Sequence, residues 1–144
     1  MNAKTTLAAA LALAATIPIA AARQPAPTRS VWNGVYSEEQ AKRGNALYTQ
    51  YCSSCHGPEL AGAEITPPLV GGAFASNWDG LTLGDLSERI RISMPADKPG
   101  TLARQQVADL LAFILSAGRF PAGSAELPRD AELLKQIKFE AKAP

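Results

Sequence analysis

The sequence predicts an all-α domain of three core helices joined by long irregular loops, and three observations point there. Alternation of β-branched residues with a period of two is absent. Three stretches place apolar residues at three- and four-residue steps, and the segments between them are rich in Gly and Pro without any period. With 144 residues, 47% hydrophobic and 19% charged, the chain is long enough for one domain with a modest core. Its 14 Lys and Arg against 13 Asp and Glu leave no basic field of the kind that neutralising many phosphates demands, so nucleic acid is not an expected partner.

Residues 1–22 are predicted to be a signal peptide. Lys4 supplies a positive start, an Ala- and Leu-rich run follows, Pro18 ends it, and Ala20, Ala21 and Ala22 form a small-residue cleavage site. The run is too short and too rich in Ala for a membrane span, so export with cleavage near Ala22 is the expectation and no stable membrane span is predicted. Residues 23–36 read as a leader with little periodicity that wraps the domain or stays loose.

Ser37 then stands as an N-cap with Gln40 three residues on, a capping box opening a helix to Tyr51. Ala41, Gly44, Leu47, Tyr48 and Tyr51 mark its buried face. Residues 57–80 carry glycines and prolines without a sustained period and are predicted to be a long irregular loop. A loop of that length inside a compact domain needs something other than secondary structure to order it, such as a large bound cofactor. A second helix is expected over residues 82–93, with Leu83, Leu86 and Ile90 on one side and Asp85 in its first turn, stopping before Pro95. The clearest helix spans residues 103–117, where Val107, Leu110, Leu111, Ile114 and Leu115 share a face and Gly118 is placed as the C′ residue. The core domain is thus residues 37–118. Residues 119–144 form a C-terminal extension with a short helical pattern over 130–139 that docks on the surface.

The chemistry lies in Cys52-Ser53-Ser54-Cys55-His56. A thioredoxin-like redox pair needs a βαβ surrounding that this chain lacks. A zinc site needs four protein ligands if structural or three if catalytic, and two Cys with the chain's single His give three within five residues, a cramped arrangement. Covalent haem uses the whole string: two thiols add to the two vinyl groups, and the next residue offers an imidazole to the iron from the same side. His56 is the only histidine, and beyond the signal peptide Met94 is the only methionine. It stands at the end of a predicted helix before Pro95, where its thioether can serve as the second axial ligand. A filled sixth position argues for an electron carrier over an oxidase or peroxidase.

These motifs resemble those of class I cytochromes c over residues 37–118. Gly44, Tyr48 and Cys52 match the glycine, aromatic and first cysteine of that family's N-terminal helix; Leu110 and Phe113 match the Leu and aromatic that cross the glycine. The resemblance implies a cytochrome c fold around one haem c. It also implies that the Pro68 carbonyl, twelve residues after His56, accepts the Nδ1 proton, with the adjacent Pro67 as the substitute. More narrowly, residues 31–36, 93–100 and 134–139 resemble bacterial cytochromes that accompany quinoprotein alcohol dehydrogenases, which implies a periplasmic carrier with a dehydrogenase donor and an oxidase or other cytochrome as acceptor.

Trp78 and Arg89 are further candidates, as an indole N–H and a guanidinium able to meet a haem propionate. The alternatives are a packed aromatic and a solvated helix face. Three functions remain in view: a free electron carrier; a fixed cytochrome subunit of a quinoprotein dehydrogenase complex, with residues 23–36 and 120–144 as docking arms; and a haem sensor or peroxidase, which requires Met94 to leave the iron.

Overall fold

A computed structural model describes residues 29–144, so the predicted signal peptide and the first part of the leader lie outside the described residues. In chain order the elements are β1 (Arg29–Ser30), a 3₁₀ turn (Val31–Asn33), α1 (Glu38–Tyr51), α2 (Ser53–His56), α3 (Gly71–Trp78), α4 (Leu83–Ser93), α5 (Arg104–Ala117), α6 (Ala131–Leu134) and β2 (Ile137–Lys138). The all-α architecture is as the periodicities predict. The three expected core helices are α1, α4 and α5.

The main packing event is the crossing of α1 on α5. A Cβ on Gly44 would run into the carbonyl of Asp109 and lie 2.8 Å from the Phe113 Cβ, so the two backbones touch where glycine permits it. The nearest atoms are the Asp109 backbone and the Phe113 Cβ, and Leu110, the other expected residue, is buried at 2% exposure. The Phe113 ring leans on Tyr48 at 5.2 Å between centroids. Beneath the crossing Val107, Leu110, Leu111 and Leu115 are buried with Leu83 and Leu86 of α4.

Ser37 caps α1, its hydroxyl accepting from the Gln40 N–H at 3.1 Å. The predicted reciprocal half of the capping box is absent. Gln40 is fully buried, and its side-chain amide donates to the Leu127 carbonyl at 3.1 Å while accepting the Leu127 N–H at 2.7 Å. A distant strand of backbone with no other partner outcompeted the helix's own first turn. At the other end of the domain, α5 closes in a Schellman arrangement, with the Phe120 N–H on Leu115 and the Arg119 N–H on Ser116, each at 3.0 Å. Gly118 stays right-handed and Arg119 takes the left-handed conformation at φ 65°, which corrects the assignment of Gly118 to C′. What marks 118 is closeness instead: a Cβ there would sit 3.1 Å from the Phe120 ring, tighter than ordinary van der Waals contact.

The segments expected to lie outside the core are fastened to it. Arg29 and Ser30 pair in parallel with Ile137 and Lys138, Trp32 donates its indole N–H to the Glu140 carbonyl at 2.9 Å, and the Tyr36 hydroxyl donates to the Phe120 carbonyl at 2.7 Å. Phe139 is fully buried, edge-on to Phe74 and Phe120. The leader and the C-terminal segment therefore form a clasp whose hydrogen bonds go to the chain's own core. Arg43 adds a bridge across α1, α5 and the tail, bidentate to the buried Asp109 and paired with Glu126 at 2.8 Å.

Residues 57–80 are not loop throughout: α3 occupies Gly71–Trp78. Its only buried side chain is Phe74, so it has no apolar stripe to announce it, and its order comes from the contacts of Phe74 with Phe139 and Trp78.

Candidate haem-binding site

Tyr51 ends α1, Cys52 breaks the helix with φ −124°, and a single turn, α2, carries the remainder of the C-x-x-C-H string. The Cys52 carbonyl accepts from the N–H groups of Cys55 at 3.2 Å and His56 at 2.9 Å. That turn puts both cysteines and the histidine in one helical register. The Tyr48 hydroxyl donates to the Gly57 carbonyl and so ties the end of the turn back to α1. Burial pushes the tyrosine hydroxyl up to about 12.

Both thiols are free, Cys52 half-buried and Cys55 exposed. Burial, aided by the charge of Cys55, pushes the Cys52 thiol up to about 11. It is thus protonated at neutral pH, the opposite of the lowered value that equips a thiol for disulfide exchange. Among the described residues no group of three His, Cys, Asp or Glu side chains is placed to hold a metal ion.

His56 is 7% exposed. Its Nδ1 lies 2.9 Å from the Pro67 carbonyl, and since a carbonyl only accepts, Nδ1 carries the proton and Nε2 presents its lone pair. The acceptor is Pro67, not Pro68. Two consecutive prolines occupy the turn, and residue spacing from His56 does not tell which carbonyl faces back toward the ring. The main-chain carbonyl of His56 is also engaged, accepting the Gly62 N–H at 2.9 Å. A Cβ on Gly62, where φ is +74°, would meet the Pro67 carbonyl carbon at 2.9 Å and the Pro68 nitrogen at 2.8 Å. Gly62 is thus a positioning residue that composition alone did not single out; its signal was a lone glycine between two alanines in an otherwise unreadable loop.

Met94 stands half-buried immediately after α4, its N–H bonded to the Ile90 carbonyl at 2.9 Å and the buried Pro95 behind it. The helix that delivers it begins with a reciprocal cap, the Thr82 hydroxyl accepting from the Asp85 N–H and the Asp85 carboxylate accepting from the Thr82 N–H at 2.8 Å. Trp78 is half-buried against Phe74 at the end of α3, and no described residue accepts its indole N–H; Arg89 lies exposed on α4 and joins no ion pair among the described residues. The predicted residues thus fall into a bonded group, Cys52, Cys55 and His56 with Pro67, and three others, Met94, Trp78 and Arg89, whose side chains form no hydrogen bond with that group among the described residues. An apolar cavity of about 220 Å³ lies between the leader, α3 and α5, walled by Leu69, Val70, Phe74, Ile114 and Phe120. None of Cys52, Cys55, His56, Met94, Pro68, Trp78 and Arg89 lines it. Two reduced thiols in one turn and a buried imidazole with Nε2 bare are the donor set that covalent haem needs, so the residues fit the group.

The family model described as cytochrome c oxidase, cbb3-type, subunit III matches residues 39–114, more than half of the chain. The chain belongs to this family. The cytochrome also shares its fold with a chain in the crystal structure of the sulfane dehydrogenase SoxCD from Paracoccus pantotrophus, with a TM-score of 0.52 at 21% identity, over 75% of this chain and 61% of that one. It therefore spans less than two thirds of that chain, and at this identity the likeness is one of fold. No curated protein matches it. The protein is a class I c-type cytochrome, all-α, with covalent haem c. No helix among the described residues is long and apolar enough to cross a membrane.

Proposed function

We propose that the cytochrome attaches its haem through Cys52 and Cys55, binds the iron with His56 and Met94, and passes single electrons in the periplasm from a dehydrogenase toward an oxidase or another cytochrome. Residues 1–22 are removed on export in this reading, which N-terminal mass analysis of the exported protein checks. The observation that carries the site assignment is the Nδ1 contact of His56 with Pro67, which orients the ring and leaves Nε2 for a metal. Bound haem supplies a one-electron iron couple. The chain's own part is to hold the imidazole in one tautomer and, through Met94, to offer a thioether that would keep water and oxygen from the iron.

The test is an absorption spectrum of the exported protein, oxidised and reduced, with a denaturing pyridine assay for covalent haem and a search for the far-red band of iron bound to a methionine sulfur. Covalent haem with that band is expected. Covalent haem without it would remove Met94 and favour a sensor or peroxidase, and a carbon monoxide shift of the reduced spectrum would mark the open site. Trp78 and Arg89 are assigned to the haem propionates, because each offers a donor without a partner among the described residues. Trp78→Phe and Arg89→Lys are each expected to lower the reduction potential, and an unchanged value would withdraw that residue.

A second reading has its own support. The matching family is described as an oxidase subunit and the fold neighbour comes from a dehydrogenase complex, so a fixed subunit of a larger redox assembly is the alternative to a free carrier. Size-exclusion of the native extract separates the two: elution with the haem band at the mass of one processed chain, below the 15.1 kDa of the full sequence, supports the carrier.

A further inference from the structure

Between Gly62 and Pro67 the chain makes a two-residue hairpin, with the Ala63 N–H on the Thr66 carbonyl at 3.1 Å and the Thr66 N–H on the Ala63 carbonyl at 2.7 Å. Its tip is Glu64 and Ile65. Ile65 is 98% exposed, the most exposed of the large apolar side chains among the described residues. The stem is fixed below by buried Leu60, whose carbonyl accepts the Leu69 N–H at 2.8 Å. Both feet of the hairpin stand on one residue, since Gly62 bonds the His56 carbonyl and Pro67 accepts from the His56 ring. An isoleucine held fully in water on a braced turn gains nothing for folding, and a single exposed apolar side chain would be unremarkable elsewhere on a surface. Here it crowns a structure mounted directly on the predicted iron ligand.

Charge says what would meet it. From residue 44 to residue 88 the sequence has no Lys or Arg, while Glu59, Glu64, Asp79, Asp85 and Glu88 are acidic. Glu64 at the tip and Glu59 before the stem are exposed and join no ion pair among the described residues. Glu64 holds its carboxylate there at φ 48°, a left-handed backbone that non-glycine residues seldom adopt.

We propose that the hairpin around Ile65 is the docking prong for a redox protein that presents a basic rim around an apolar socket, seated so that the path into the haem runs through Pro67 and His56. The inference rests on the assignment of His56 to the iron. Redox encounters use small, transient interfaces, and one apolar anchor with complementary charge around it suits that scale.

The test uses the full-length haem-loaded protein, reduced, and stopped-flow oxidation at low ionic strength by three one-electron oxidants: tris(1,10-phenanthroline)cobalt(III), an apolar cation; a lysine-rich cytochrome c, a basic protein; and hexacyanoferrate(III), a polar anion. In each case one electron leaves the haem iron and reduces the metal of the oxidant. Ile65→Ser is expected to slow the first two by at least about threefold and leave the third unchanged. Glu64→Lys is expected to slow the first two by about tenfold and speed the third, whereas Glu39→Lys, the same charge change at the far end of α1, moves all three much less. Equal rates for Ile65→Ser and the unaltered protein with both cationic oxidants, or equal effects of the two lysine variants, would overturn the prong. Spectrum and reduction potential, unchanged in every variant, separate this from the site assignment: absence of covalent haem in the unaltered protein removes both readings, while a normal spectrum with unmoved rates removes the prong alone.

Discussion

The α1–α5 crossing and the loop that carries His56 lie within one domain but are held in opposite ways. At the crossing, order comes mainly from shape: two helix backbones meet at Gly44, while Val107, Leu110, Leu111 and Leu115 fill the space below and the Arg43–Asp109 pair closes one edge. In the loop, residues 57–70 bury one large apolar side chain, Leu60, and order comes from hydrogen bonds that converge on His56. The difference separates the residues that set stability from those that set the chemistry. Packing tolerates little change in volume and asks for no directional contact, whereas the loop contributes little burial and fixes one ring to one tautomer.

The largest effect is expected at the crossing. Gly44→Val puts side-chain carbon where the Asp109 carbonyl already stands, so the helices must separate; a loss of about 5 kcal/mol or failure to fold is expected in urea denaturation of the holoprotein. Next comes the clasp. Phe139→Ala empties the fully buried centre between Phe74 and Phe120 and is expected to cost about 3 to 4 kcal/mol by the same measurement, with the far-red band retained. A loss below about 1 kcal/mol would mean that the tail is an appendage after all.

How much of this was legible follows the same division. Helices α1, α4 and α5 were readable because each carries its own apolar stripe, and the C-x-x-C-H string because its chemistry is local. Helix α3 was not, since Gly71 and Gly72 open it and its one buried residue, Phe74, finds its partner in Phe139, far along the chain. The clasp was missed for the same reason: β1 is two residues long and acquires its conformation only by pairing with β2. Gln40 carried a real local signal, the capping box, that a tertiary contact with Leu127 overrode. Pro67 and Pro68 were chemically equivalent candidates, and only the path of the turn distinguishes them.

A smaller effect on stability, but one on the chemistry, is expected in the loop. Gly62→Ala forces a side chain into left-handed backbone and against Pro67 and Pro68, with an expected cost of about 2 kcal/mol. Displacing Pro67 also weakens its hold on the His56 Nδ1 proton. With His56 on the iron as proposed, the imidazole would donate less electron density to it, which would disfavour the oxidised form, so the reduction potential should rise in a voltammetric titration. Loss of stability with an unmoved potential would mean that the Pro67 contact orients the ring without tuning it.

The smallest effect tests whether the two modes of construction are separable at all. Helix α4 belongs to both, because its first turn is joined to the tail, with Thr82 bridged to Lys138 and the Phe139 N–H on the Leu81 carbonyl at 2.8 Å, while its last residue hands the chain to Met94. Thr82→Ala removes the hydroxyl that caps the Asp85 N–H but leaves the Thr82 N–H that the Asp85 carboxylate accepts, so about 1 kcal/mol of stability should be lost. Met94 lies at the opposite end of an eleven-residue helix whose later turns are held by their own hydrogen bonds and by Ile90 packed against the core. The far-red band and the reduction potential should therefore stay where they are. If either moves, the position of Met94 is set from the tail through α4, and the clasp is part of the electron-transfer machinery as well as of the scaffold.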